Sequence, residues 1–176
     1  MSIWLIADTH FGHRNMVKLC GRPDDFEARI LHAWKRIVAP TDTVIHLGDV
    51  CLCGAQEEKR WMATIKEELP GIKILVKGNH DKRAFTWYEA NGFALCVDKL
   101  VRVVNGRRCL FTHAPVVMDT AQKYECALNV HGHLHTNAYL PIFGSTQTSH
   151  RLFSLERTHY LPVEIGSFID KFKAYS

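Results

Sequence analysis

The chain of 176 residues has no apolar run approaching the roughly 18 residues that a membrane-spanning helix needs, so no association with a membrane is expected. It has no Cys-x-x-Cys pair. Its six cysteines (Cys20, Cys51, Cys53, Cys96, Cys109 and Cys126) are scattered, which argues against a disulfide framework or a thiolate zinc site. They read better as small buried hydrophobes. Cys51 and Cys53 also have the spacing of a soft metal site, but alternation along a short extended segment explains them more simply. No basic segment precedes the short apolar run Ile3 to Ala7, so a signal peptide is not expected and the protein is placed in the cytoplasm. Internal repeats, low-complexity tracts and composition breaks are all missing. The net charge of +4 admits anionic substrates. No basic stripe interleaved with aromatics marks a nucleic-acid groove, so nucleic acid is compatible with the chain but not indicated.

What remains is an ordinary globular composition, 47% hydrophobic and 23% charged, in a length that suits one domain over 1–176. Histidine is the outlier, at eleven residues. Ile3 to Ala7 reads as a buried strand. A helix capped by Asp24 or Asp25 carries Phe26, Ile30, Ala33, Trp34 and Ile37 at helical spacing. Thr43 to Leu47 is a second strand, about Gln56 to Leu69 a second helix, and Ile72 to Val76 a third strand. This alternation implies parallel strands joined by helical crossovers. In the second half, Lys99 to Val104 and Arg108 to Thr112 flank the hairpin dipeptide Asn105-Gly106. Ala127 to Val130, Arg151 to Leu155 and Thr158 to Val163 are expected as strands. Pro141 to Ser149 is expected as a loop, and Phe168 to Tyr175 as a short helix. The expected architecture is an α/β fold, a two-sheet mixed β-sandwich flanked by helices.

Five polar clusters follow these apolar runs. Asp8-x-His10 ends the first strand, and on extended backbone residues i and i+2 point the same way. Gly48-Asp49 ends the second; a residue without Cβ lets backbone approach an ion, and a carboxylate can bridge two. Gly78-Asn79-His80-Asp81 ends the third, where an amide oxygen can hold metal while the neighbouring His acts on substrate. The alternative is an Asx-turn with a helix cap at Asp81, against which three polar groups following a strand as apolar as Ile72 to Val76 argue. His113 ends the hairpin, and Gly132-His133-Leu134-His135 follows, with two imidazoles on one side and Leu134 toward the core. A single such histidine is usually a core residue. Five clusters with one strand-then-ligand layout point instead to a metal-dependent hydrolase. The ligands are nitrogen and oxygen, favouring two divalent transition-metal ions: manganese first, then iron, zinc, nickel or cobalt. Such a pair, about 3.5–4 Å apart, activates a bridging water and clamps the oxygens of a phosphoester.

Asp8-x-His10, Gly48-Asp49, Gly78-Asn79-His80-Asp81, His113 and Gly132-His133-x-His135 together resemble the signature of the calcineurin-like metallophosphoesterases. The resemblance implies that family's fold, a two-sheet β-sandwich with helices outside. It implies one metal held by Asp8, His10, Asp49 and His135, and a second by Asp49, Asn79, His113 and His133. His80 would stay unligated and protonate the leaving oxygen while a bridging hydroxide attacks phosphorus in line. The family's protein phosphatases continue Gly-Asp as Asp-Arg-Gly; here Val50-Cys51-Leu52 follows, so protein phosphatase activity is not expected. The chain looks most like small bacterial and phage members in which Asp-x-His continues Phe-Gly-His, here Phe11-Gly12-His13-Arg14-Asn15. His13, Arg14 and Asn15 are therefore expected on the substrate side, equally with a plain reading as a solvated helix start. His46 is expected either behind the ligands or as a core histidine. The expected substrate is a phosphodiester or small phosphomonoester, including nucleotides. A non-catalytic protein-interaction scaffold and a nuclease are the alternatives.

Overall fold

In the computed structural model, which describes residues 1–136 and 149–170, the apolar run at the N-terminus forms β1 (Ile3–Ile6). Two short helical segments follow, α1 (Met16–Cys20) and α2 (Phe26–Ile37), and then β2 (Thr43–His46), α3 (Ala55–Glu68) and β3 (Ile72–Val76). The expected alternation holds: β1 pairs with β2 and β2 with β3, all parallel. The chain continues through α4 (Phe85–Ala90) into β4 (Leu95–Val97), which adds parallel to β3. The hairpin is β5 (Leu100–Val104) and β6 (Arg107–Thr112), with Val104 opposite Arg107 across Asn105-Gly106. After α5 (Met118–Lys123) come β7 (Leu128–His131), β8 (His150–Leu152), β9 (Val163–Glu164) and α6 (Ile165–Asp170).

These strands make two mixed sheets, in the order β4-β3-β2-β1-β9 and β5-β6-β7-β8. Strand β9 runs antiparallel to β1, and β6, β7 and β8 are mutually parallel. One apolar cluster joins the sheets, with Leu5, Ile6, Ile45 and Leu75 from the first and Phe111, Val130 and Phe153 from the second sheet's side. Helix α2 buries Phe26, Ile30, Ala33 and Trp34, the stripe its spacing predicts. The Trp34 indole N–H donates to the Pro70 carbonyl at 3.0 Å. No helix among the described residues is long and apolar enough to cross a membrane.

Four sequence expectations need correction. Asp25 does precede α2, but its side chain makes no cap hydrogen bond and instead accepts from Arg29 Nε, one turn on, at 2.8 Å. Thr158 to Val163 is not a strand: His159 and Tyr160 lie in the left-handed region at φ +53° and +65°, and only Val163–Glu164 pairs. Alternation of apolar residues there reflects a turn packed on the core, with Leu155 fully buried and Phe153 beneath it. Strand β8 stops at Leu152, short of the expected Leu155. Helix α6 starts at Ile165 rather than Phe168, and its expected extension to Tyr175 lies outside the described residues, as does nearly all of the Pro141 to Ser149 loop.

The N-terminal strand is pinned by Asp42. Its carboxylate accepts from Ser2 N at 2.7 Å, Trp4 Nε1 at 2.9 Å and Ala39 N at 3.0 Å. The Trp4 indole and then the backbone donors favour the anion and hold this carboxyl at about 2, below its usual range. A depressed folded pKa stabilises the fold above the unfolded pKa and loses that contribution as pH falls through the folded value. Asp42→Asn is therefore expected to lower the urea midpoint at neutral pH, with the gap to wild type closing between about pH 4 and about pH 2.

Candidate metal centre

Because β1, β2 and β3 are parallel, their C-terminal ends leave the first sheet on one side, and β6 and β7 do the same in the second. Loops at the carboxyl ends of parallel strands are the usual place for a ligand. Asp8 and His10 follow β1, Asp49 follows β2, Asn79 and His80 follow β3, His113 follows β6, and His133 and His135 follow β7. The ladder runs on past β1 and β2: Asp8 N donates to Gly48 O, and His10 N to Asp49 O.

The side chains gather into two groups. Asp8, His10 and His135 present ligand atoms within 4.8 Å of one another, and so do Asp49, His113 and His133. Asp49 stands between them, its Oδ2 lying 3.3 Å from His113 Nε2, 3.7 Å from His10 Nε2 and 4.0 Å from His80 Nε2. The Asn79 amide oxygen completes the second group, 2.8 Å from His113 Nε2, with His133 Nδ1 at 3.0 Å. Each group can hold one divalent cation, and the two share a boundary at Asp49, as a binuclear metal centre requires.

Burial makes the site electrostatically demanding. Asp8 is 1% exposed and Asp49 2%, so neither carboxylate can rely on water to stabilise its charge. Burial raises the Asp8 carboxyl to about 7, against the charges of His113 and His135. Asp49 is also penalised by burial, but the His113 hydrogen bond and charge prevail and hold it at about 2. Burial lowers His113 too, yet its hydrogen bond to Asp49 and the charges of Asp8 and Asp49 more than offset this, raising it to about 9. His10 is driven down to about 3, mainly by burial, and is therefore a neutral imidazole. Both its ring nitrogens are buried without a hydrogen-bond partner. A neutral imidazole with unsatisfied nitrogens beside two buried carboxylates is a donor set suited to a divalent transition metal.

Residues 1–153 match the family model of the calcineurin-like phosphoesterase superfamily domain. The chain belongs to that superfamily. A protein of unknown function from Aquifex aeolicus has a crystal structure that superposes with a TM-score of 0.81 at 29% identity, over 97% of this chain and 98% of that one. An uncharacterized protein of Methanocaldococcus jannaschii is 35% identical over 97 residues, 52% of this chain and 54% of that relative. The gene 66 protein of Mycobacterium phage L5 is 33% identical over 81 residues, 44% of this chain and 39% of the phage protein. The matched segments thus span about half, or less, of these two relatives' own length.

In this calcineurin-like domain the backbone at the site differs from the extended geometry read from the sequence. Among the described residues, nine non-glycine residues have positive φ, and five of them are Asp8, His10, Asp49, His133 and His135. The two side chains of Asp-x-His converge because each sits in a left-handed turn, while Thr9 between them points into the core. The left-handed turns of His133 and His135 likewise send the former to the Asp49 group and the latter to the Asp8 group. Such conformations cost about 1–3 kcal/mol each and persist only where surrounding structure imposes them. The role read for Gly48 also changes: a Cβ there would meet Gly78 N at 2.6 Å, and one on Gly78 would strike the Asp49 carboxylate. A Cβ on Gly132 would strike the Asp8 carboxylate in the same way. The glycines let loop approach loop.

Two buried braces hold these loops. Asp81, the last residue of the third block, accepts from Asp49 N and Gly78 N at 2.8 Å and from Val50 N at 3.0 Å. Asp81 does not cap a helix, since α4 begins only at Phe85, and its bond from Gly78 N, three residues before it, is not an Asx-turn; its carboxylate instead ties the β2 and β3 loops together. His46 is both things the sequence allowed, a buried core residue and a support behind the ligands. Its Nδ1 accepts from Gly48 N at 3.1 Å, and its Nε2 pairs with the Thr9 hydroxyl at 3.0 Å, which donates on to Val50 O. Sequence reasoning did not foresee Thr9, Arg22 or Glu156 near the site. Asp81 and Thr9 lay inside or beside the motif blocks; Glu156 carries no local pattern at all.

The three residues expected on the substrate side separate. His13 faces the site, its ring 5.7 Å from that of His10. Arg14 extends toward α2, 3.6 Å from the Glu27 carboxylate and donating to Asp24 O at 3.3 Å. Asn15 precedes α1 as its N-cap and is exposed. Cys51 is buried where its backbone bridges Phe11, Cys53 packs on Gly12, and neither joins a metal-ligating group among the described residues. All six cysteines are free thiols. The carboxylate brace gives a direct test. Asp81→Ala leaves three backbone donors without an acceptor, and urea denaturation is expected to show a loss of about 1–3 kcal/mol for each that stays buried.

Proposed function

We propose that this chain is a dinuclear metal-dependent phosphoesterase acting on a phosphodiester or a small phosphomonoester, with His80 as general acid. The observation that carries this reading is the position and exposure of His80. The side chains of His10, His113 and His135 are 3%, 5% and 14% exposed; His133 is also open to solvent, but His80, 39% exposed, belongs to neither metal-ligating group among the described residues. Its Nε2 is nevertheless 4.0 Å from Asp49 Oδ2, and its backbone N–H donates to Asp49 Oδ1 at 2.8 Å. A histidine held beside the shared carboxylate, open to solvent and outside both ligand groups supports a role in touching substrate rather than in holding a metal. A cavity of about 240 Å³ opens beside it, lined by Cys51, Leu52, Cys53, Glu58, Lys82 and Arg83.

Asp8, His10 and His135 would hold one ion, Asn79, His113 and His133 the other, and Asp49 both. Held there, two divalent cations, manganese first among the candidates, would lower the pKa of a water and neutralise charge on the phosphoryl oxygens. As general acid, His80 would donate a proton to the departing oxygen. His13 lies on the open side of His10 and is placed to contact the ester, whereas Arg14 is engaged by Glu27. Buried Asp49 fixes the His80 backbone, so the acid stays in place when substrate is absent.

The test is turnover of bis-p-nitrophenyl phosphate by protein loaded with manganese, nickel, cobalt or zinc. Wild type is expected to turn over and to stop when the metals are chelated. His80→Ala is expected to lower kcat by about 10²–10⁴-fold while leaving metal content unchanged. Failure of all four metals to support turnover would overturn the reading in favour of a metal-bound interaction scaffold.

A further inference from the structure

Behind the first metal group lies a buried ion pair that none of the motif blocks contains. The Arg22 side chain is fully buried. Its Nε and Nη2 both lie 2.8 Å from Glu156 Oε1, Nη2 donates to Asp8 O at 2.8 Å, and Nη1 donates to Thr9 O at 3.1 Å. The guanidinium also sits 5.1 Å over the Phe26 ring. Glu156 Oε1 accepts in turn from His135 Nδ1 at 3.2 Å, while Oε2 accepts from the Ser154 hydroxyl at 2.7 Å. Glu156 stands beyond residue 153, where the family match ends. Cys20, His135 and Glu156 could also be taken for a third cation site. Arg22 settles that: its Nη2 is 3.5 Å from His135 Nδ1 and on Glu156, so a cation already fills the position.

We propose that Arg22 and Glu156 are positioning residues for the Asp8–His10–His135 metal site, and that they make its affinity independently tunable from that of the Asp49–His113–His133 site. This rests on the reading that the two groups bind metal. With Nδ1–H committed to Glu156, His135 must present Nε2 as its lone-pair nitrogen, and that atom is the one facing Asp8 Oδ1 at 4.0 Å. A carboxylate behind a ligating imidazole fixes its tautomer and raises its basicity. Arg22 locks the carboxylate from the other side and clamps the carbonyls of Asp8 and Thr9, on either side of the left-handed turn that aims the first ligand. The second group is backed differently. His113 Nδ1 donates to the Leu47 carbonyl at 2.8 Å, and the nearest carboxylate oxygen to that nitrogen, Asp8 Oδ1, is 4.0 Å away, beyond hydrogen-bond range.

The experiment is equilibrium dialysis of the full chain against zinc or manganese with elemental analysis. It is paired with NMR assignment of the His135 tautomer in metal-free protein. Wild type is expected to bind two ions per chain with His135 protonated at Nδ1. Glu156→Gln is expected to weaken one site by about 10–100-fold, leave the other unchanged, and shift the His135 tautomer population. Glu156→Asp, with a carboxylate retained, is expected to fall between them. If Glu156→Gln folds poorly, Arg22→Met combined with Glu156→Gln removes the buried charges together and should weaken the same site. Two unchanged sites in Glu156→Gln, or equal weakening of both in a folded variant, would overturn the inference and leave the proposed activity standing. Wild-type protein that binds no metal would remove the metal reading itself, and this inference with it.

Discussion

Two carboxylates, Asp8 and Asp49, are buried side by side at the end of two neighbouring parallel strands, and most of the site answers to that fact. Ionised together in a dry cavity they would repel, and neither could be hydrated. The protein surrounds them with imidazoles, feeds their oxygens with backbone N–H groups from His80 and His133, and leaves the remaining charge for cations to neutralise. The sheets make this arrangement unavoidable. Parallel β1 and β2 deliver both acids to one edge, and a second parallel pair, β6 and β7, delivers histidines to the same place.

The two groups are alike in composition and unlike in support. One is backed by a buried arginine and a glutamate, the other by the Leu47 backbone carbonyl. Asp81 and His46 lie beneath the seam between them, one gathering backbone N–H groups from two loops and the other linking two loops through Gly48 and Thr9. Rigidity therefore comes from below the ligands, through groups that never touch a substrate, which is how a preorganised site keeps its geometry.

Much of this was legible from residues alone. Unbroken apolar runs gave away β1, β2 and β3, because a parallel strand covered on both faces needs no alternation. The alternation of those runs with helices gave the parallel pairing, and Asn105-Gly106 gave the hairpin, whose second strand starts at Arg107 rather than Arg108. Six of the seven residues read as ligands converge in the two groups, and Asn79 lies beside the second, 2.8 Å from His113. The failures share a cause. Thr158 to Val163 has the composition of a strand, but a turn with two left-handed residues packs it on the core, and nothing local announces that. Glu156 is 21 residues from His135 and 134 from Arg22, so only tertiary folding brings the three together. The geometry of Asp-x-His was right in outcome and wrong in cause: convergence comes from left-handed backbone, not from the pleat.

That backbone bears on what the chain could become. Asp8, His10, Asp49, His133 and His135 occupy conformations that suit glycine better than any of them. Exchange of one of the three histidines for glycine would ease its torsion, whereas exchange of either aspartate would also take the acceptor from a backbone N–H. A lineage released from the need for metal could therefore drift toward an inert, sturdier form of the same architecture by short, downhill steps. Five left-handed residues at one site mark where this fold departs furthest from what its backbone alone would choose.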